Sequence, residues 1–295
     1  MIQGFRQRLD KRQREVNSLV CVGLDPVLEK MPGCIRITNS GDIIGWARDI
    51  IDATAPFALM YKPNIAFYEA MSRGIEVLSS IIDYIHKEYP SIPVFLDSKR
   101  GDIGNTQKRY REAIFGILKA DGMNFSPYMG KDCMEALVDL KRYPGKAIVG
   151  LCYTSNLAAR EVQDIRLPNG SFYWEFIAKI ILEWAKELGV VENAGLVMAA
   201  AHKDLQNSEL INSRHLTIAR EIVGSDLWFL IPGIGTQGGF VAETVRAAYV
   251  GPGSIAINSS SGIIFASSGE DYAQAAADKA KALRDQIRVA GGNAE

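Results

Sequence analysis

Eight strand-length apolar runs recur along this 295-residue chain, and helix-period segments separate most of them. The runs lie at 19–25, 58–64, 94–99, 122–126, 146–153, 195–200, 227–233 and 254–259. Each is bounded by turn residues or by a change of hydrophobic period, which is how a buried strand reads in sequence. Helical spacing appears at 41–54, 74–89, 105–119 and 171–188. In the last of these, Tyr173, Ile177, Ile180, Trp184 and Leu188 are expected to form the buried stripe, with Glu175, Lys179, Glu183 and Lys186 opposite. The alternation predicts an α/β chain whose parallel strands close into a (β/α)8 TIM barrel, one domain over residues 1–295. An open doubly wound sheet would use similar units, and periodicity alone does not separate the two.

Composition bears on what the chain meets. It carries 33 Lys and Arg against 34 Asp and Glu, for a net charge of −1. That balance gives no support to a polyanion-binding surface, so no nucleic-acid partner is expected. No apolar run reaches the ~18–20 residues of a membrane span. The N-terminal stretch is charged throughout, unlike a signal peptide, and reads as an amphipathic surface helix. A cytoplasmic protein with no membrane partner is expected. The four cysteines, Cys21, Cys34, Cys133 and Cys152, have no C-x-x-C spacing, so neither disulfides nor a thiolate metal site is expected. The three histidines, His86, His202 and His215, read as structural or exposed. The Ala-rich segment 267–287 reads as a closing helix.

Charge at strand ends is the first functional signal. Asp25, Lys62, Asp97 and Lys99 each follow an apolar strand run. In a parallel barrel those ends face the active site. A set of ion pairs plugging the barrel mouth is the competing explanation. The densest stretch is DSKRGDIGNT, residues 97–106. Side chains alternate along a strand, so Asp97 and Lys99 share a face, and Asp102 follows in a glycine-bearing turn. A lysine between carboxylates stays protonated, because opposite charge favours its ion. It suits proton donation to a carbanion-like carbon and not imine chemistry. A second dense stretch, IPGIGTQGG at 231–239, follows the seventh strand run, where barrels often bind phosphate. Asn258, Ser259, Ser260 and Ser261 after the eighth run offer further donors.

These residues resemble the orotidine 5'-phosphate decarboxylases. The run DSKRGDIGNT matches their D-x-K-x-x-D-I-x-x-T signature. CVGLDP at 21–26, KPNIAFYE at 62–69, SPYMG at 126–130, TSN at 154–156 and LIPGIGTQGG at 230–239 are similar to the bacterial subfamily called type 2. The resemblance implies decarboxylation of orotidine 5'-phosphate to UMP in pyrimidine synthesis, with no metal and no organic cofactor, by a homodimer with sites at the subunit interface. It implies Lys99 as proton donor to C6, with Asp97 near the departing carboxylate. Lys62 joins the charged network to the ribose, and Asp25 holds ribose hydroxyls. Asp102 and Thr106 reach the neighbouring subunit's site, with Ile103 beside them. Ser155 meets the pyrimidine, while Pro232, Gln237, Gly238, Gly239 and position 261 serve the phosphate.

Position 261 departs from the pattern. The resemblance leads one to expect N-S-S-R-G-I, and the chain has Ser261 where the arginine belongs. A hydrogen bond to a charged group contributes roughly 1.5–3 kcal/mol. Without a replacement, substrate capture would weaken on the order of tenfold to over a hundredfold. A smaller departure is AAAHKDLQ at 199–206, against an expected G-A-T-x-P-x-x-L. Two alternatives stay open at this level. One is a metal-dependent sugar-phosphate decarboxylase or aldolase-like barrel. The other is a phosphate-ligand binder with weakened turnover, which Ser261 favours and the intact 97–102 core opposes.

Overall fold

The computed structural model describes residues 3–203, 209–234 and 240–293. Its main sheet has eight parallel strands: β1 Val20–Gly23, β2 Ala58–Lys62, β3 Phe95–Arg100, β4 Gly122–Phe125, β5 Ala147–Tyr153, β6 Ala194–Met198, β7 Trp228–Ile231 and β8 Ile255–Ser259. The neighbours run β2-β1-β8-β7-β6-β5-β4-β3. Two parallel bridges, Tyr61 with Val94 and Asn64 with Asp97, join the ends of that series and close the barrel. Tyr61 N–H donates to Pro93 O at 3.0 Å, and Asp97 N–H donates to Pro63 O at 2.9 Å. Pro63 and Pro93 lie on this seam without an N–H to return, which limits pairing there to isolated bridges.

All eight expected strands are present, in order and parallel. Several stop short of their apolar runs. β2 ends at Lys62 before Pro63, and β7 ends at Ile231 before Pro232. Proline cannot extend the ladder, although its side chain continues the apolar pattern. Burial of both sheet faces explains the unbroken apolar runs, since helices cover the outside and side chains fill the inside.

The helix Tyr173–Glu187 corrects one expectation. Its buried face is Trp174, Ile177, Ala178, Ile181, Leu182 and Ala185, rotated from the stripe read in sequence. Tyr173, Ile180, Trp184 and Leu188 sit at the margin, partly buried against the core. The helix is apolar over so much of its circumference that periodicity does not fix the centre of the face. Ala178 and Ala185 let the backbone approach the sheet, and the larger rings flank the contact. The segment 105–119 departs as well. An α-helix runs over Gly104–Arg111 and continues as a π-helical turn over Glu112–Ile117. Leu118 N–H reaches back five residues to Ala113 O at 2.9 Å.

The N-terminal helix, Phe5–Val16, does more than cover surface. Phe5 and Leu9 are fully buried. The Phe5 ring stacks on Trp228 at 5.3 Å and meets Phe95 edge-on, closing the barrel's N-terminal end. At that same end Asp121 is buried and accepts from Arg8, Lys146 and the Val94 N–H, with His86 Nε2 at 3.0 Å. Burial alone would raise its carboxyl, but His86 and Arg8 more than offset that and hold it well below the usual range. Charge at the N-terminal face of a barrel serves stability, which accounts for His86 as a structural histidine.

Candidate active site

The C-terminal strand ends gather the charges expected there. Lys62 ends β2 and is almost wholly buried, its side chain 4% exposed. Its Nζ lies 3.0 Å from Asp97 Oδ2. Asp97 Oδ1 in turn receives Lys99 Nζ at 2.6 Å. Lys99 is the open end of this chain of charges, with its side chain 50% exposed. Burial pushes the Asp97 carboxyl up, yet Lys62 and Lys99 outweigh it and hold Asp97 far below its ordinary value. Burial likewise favours a neutral Lys62, but Asp97 and Asp25 overcome it and raise Lys62 above the usual lysine range. The site is thus a fixed alternation of cation, anion and cation, with the outer cation accessible.

Backbone geometry aims that outer cation. Lys99 has φ +45°, in the left-handed region, and the pairing of β3 with β4 shifts register between Leu96 and Arg100. For a residue with a Cβ this conformation costs roughly 1–2 kcal/mol. Asn124, on β4, sustains it. Its Oδ1 accepts the backbone N–H groups of Ser98 at 2.8 Å and Lys99 at 2.7 Å. Its Nδ2–H donates to Asp97 Oδ1 at 2.7 Å. Asn124 was not among the residues picked out by sequence. Its signal in sequence is a polar residue within an otherwise apolar strand run.

Asp25 is held on two sides. The Asn64 N–H donates to Oδ1 at 3.0 Å, and the Ser260 hydroxyl donates to Oδ2 at 2.6 Å. Gly23 makes the second contact possible, because a Cβ there would lie 2.6 Å from Ser260 Cβ. Ser260 is therefore engaged with Asp25. Asn258 is buried in the barrel with Oδ1 3.4 Å from Cys21 Sγ, and Ser259 is buried too, so neither offers a donor at the surface. Ser261, partly exposed, opens the short helix Ser261–Ile264.

Asp102 does not flank Lys99 within its own chain. Its Oδ1 accepts the Ile103 N–H at 2.8 Å, and among the described residues it makes no ion pair. Among the described residues the Lys99 ammonium therefore pairs with Asp97 alone. Thr106 and Ile103 are exposed. Ser155 lines a cavity of about 240 Å³ among the ends of β5, β6 and β7, with Arg160, His202, Lys203 and Gly233. Pro232 is partly exposed at the end of β7, where its carbonyl accepts from Ala200. Gln237, Gly238 and Gly239 lie outside the described residues. His202, read from sequence as structural or exposed, is partly exposed and lines this cavity. Among the described residues, no three His, Cys, Asp or Glu side chains converge in a way that could hold a metal ion. No helix of the described residues is long and apolar enough to cross a membrane.

A barrel with this charged rim has close relatives. The sequence model of the orotidine 5'-phosphate decarboxylase / HUMPS family matches residues 18–277. An orotidine 5'-phosphate decarboxylase from Ralstonia nicotianae is 39% identical over 284 residues, covering 96% of this chain and 97% of that protein. The structure of Leishmania donovani OMP decarboxylase superposes with a TM-score of 0.74 at 30% identity, covering 96% of this chain and all (100%) of that one. The structure of Leishmania donovani UMP synthase gives a TM-score of 0.76 at 32% identity, and there this chain spans 57% of the longer protein. With sequence and fold matched over nearly its whole length, the chain belongs to the orotidine 5'-phosphate decarboxylase / HUMPS family.

Proposed function

We propose that this chain decarboxylates orotidine 5'-phosphate to UMP in pyrimidine nucleotide synthesis, as a cytoplasmic, single-domain enzyme of the bacterial type 2 subfamily. The observation that carries the reading is the Lys62–Asp97–Lys99 alternation at the strand ends, with Lys99 half open to a ligand. In the reaction the bond from C6 to the carboxylate carbon breaks, carbon dioxide leaves, and the electron pair stays on C6. The Lys99 ammonium stabilises that charge as it develops and then transfers a proton from Nζ to C6. Asp97 fixes the ammonium and stands beside the departing carboxylate. Lys62 fixes Asp97, so the array needs little rearrangement during reaction. No organic cofactor or metal takes part in this scheme.

Asp25, oriented by Asn64 and Ser260, is placed to receive ribose hydroxyls. Ser155 meets the pyrimidine. Pro232, Gln237, Gly238 and Gly239 serve the phosphate, whose binding energy contributes to rate by closing the site against water. Asp102, Ile103 and Thr106 act in a second copy's site within a homodimer. The exposure of Ile103 and Thr106 and the absence of an ion pair at Asp102, among the described residues, support that assignment.

The test is spectrophotometric loss of orotidine 5'-phosphate in the presence of EDTA, with wild type and Lys99→Ala side by side. Metal-independent turnover that Lys99→Ala lowers by roughly 10²–10⁴-fold or more is expected. A folded wild-type protein with no turnover would overturn the reading.

A further inference from the structure

Three basic side chains converge on the cavity that contains Ser155. Arg160, His202 and Lys203 line it, no carboxylate among the described residues does, and its volume is about 240 Å³. Among the described residues, neither Arg160 nor Lys203 forms an ion pair with a carboxylate. The cluster is ordered. Arg160 Nη2–H donates to His202 Nε2 at 2.7 Å, while His202 Nδ1 lies 3.2 Å from the Ala200 carbonyl. That pairing fits the neutral imidazole with its proton on Nδ1, so His202 acts as a positioning residue for the guanidinium. The segment bearing His202 and Lys203 is stitched to both described ends of the glycine-rich stretch after β7. Ala200 N–H donates to Pro232 O at 2.9 Å, and Phe240 N–H donates to Ala201 O at 2.9 Å.

Ser261 carries no charge after β8, and residues 199–203, the described part of the unexpected stretch, bring two basic residues to the base of the glycine-rich stretch. We propose that Arg160, His202 and Lys203 form an anion site for the substrate's phosphomonoester, supplying the positive charge that position 261 lacks. This rests on the decarboxylase reading. Arg160 provides a planar set of N–H donors, Lys203 a mobile ammonium, and Gly233 leaves the cavity wall without a side chain.

Binding of UMP, uridine and inorganic phosphate to wild type, Lys203→Ala and Arg160→Gln separates the possibilities. Lys203 is exposed, so its variant is expected to fold even if Arg160→Gln does not. UMP affinity should fall roughly 10–100-fold in either folded variant, the loss of one hydrogen bond to a charged group. Uridine affinity should stay unchanged. Adding Ser261→Arg to Lys203→Ala should restore UMP binding. Unchanged UMP affinity, or equal losses for UMP and uridine, would overturn the proposal. Inorganic phosphate that still binds at saturating UMP would overturn it too, because the anion would then be a separate effector. These readings are equilibrium ones and hold whether or not orotidine 5'-phosphate is turned over. A protein that binds UMP through this cluster yet turns over no substrate would refute the decarboxylase reading and leave the anion site standing.

Discussion

Asn124 donates its side-chain N–H to Asp97 Oδ1 at 2.7 Å across the β3–β4 boundary, and its other atom, Oδ1, takes the Lys99 backbone N–H at the same distance. One amide therefore fixes both the anion and the unusual backbone of Lys99. Asn124→Ala leaves the Ser98 and Lys99 N–H groups without that acceptor, at a cost of about 1–3 kcal/mol for each one left buried and unpaired. Lys99 then has no reason to hold its left-handed conformation. The expected outcome is a fall in kcat larger than the rise in KM, with a lower urea midpoint. An unchanged kcat in a folded variant would show that Lys99 is positioned by other means.

Lys62 and Asp97 are a buried pair, and breaking such a pair is worse than removing it. Asp97→Ala leaves the Lys62 cation buried with Asp25 as its remaining anionic neighbour, at a cost of roughly 3–5 kcal/mol. Lys62→Met combined with Asp97→Leu should recover much of that stability and none of the activity. Because Asp97 is held below its unfolded value, its contribution is complete above the ordinary carboxylate range and is lost as pH falls toward the depressed value. Urea unfolding of wild type, Asp97→Ala and the double variant across pH checks this. Equal stability of Asp97→Ala and the double variant would contradict it.

Gly23 is there for Ser260. In Gly23→Ala the new Cβ would stand 2.6 Å from Ser260 Cβ and 2.8 Å from its Oγ, so Ser260 must retreat and release Asp25. Overpacking of this kind costs typically 1–3 kcal/mol. KM should rise for substrates bearing ribose hydroxyls and rise less for 2'-deoxy analogues. Ser260→Ala, which removes the hydroxyl without a clash, should reproduce the KM effect with a smaller loss of stability. A Gly23→Ala enzyme with wild-type KM would mean that Ser260 does not hold Asp25 in place.

The barrel and most of the charged rim were legible in sequence because they rest on local rules. Apolar runs mark doubly buried strands, and charges at their ends stand out against them. Lys62, Asp97 and Lys99 were found in this way and do meet. What stayed hidden depends on neighbours distant in the chain. Asn124 matters because of where β4 lies beside β3, and the contact of Ser260 with Asp25 because β8 lies beside β1. The Arg160–His202 contact joins residues 42 apart. Asp102 is the opposite case. It lies close to Lys99 in sequence, yet within one chain its Oδ1 takes the Ile103 N–H and, among the described residues, it forms no ion pair.

His215 gives the fold a pH dependence separate from the carboxylates. It is buried against the rings of Tyr153 at 5.0 Å and His202 at 5.2 Å, and its Nε2 lies 2.7 Å from the Ala199 carbonyl. Burial lowers its pKa from 6.5 to about 4, against the opposing pull of that carbonyl. The folded state therefore keeps the imidazole neutral where the unfolded chain takes up a proton. Stability attributable to this group is complete above pH 6.5 and declines as pH falls toward about 4. The full decline is about 3 kcal/mol, following from the size of the shift. His215→Gln retains a donor for Ala199 and has nothing to titrate. Denaturant unfolding at pH values across this window should show wild type losing stability faster than the variant, and the two curves should run parallel above it. If the variant lost stability as steeply over the same window, the acid sensitivity would belong to other groups, and His215 would serve packing alone.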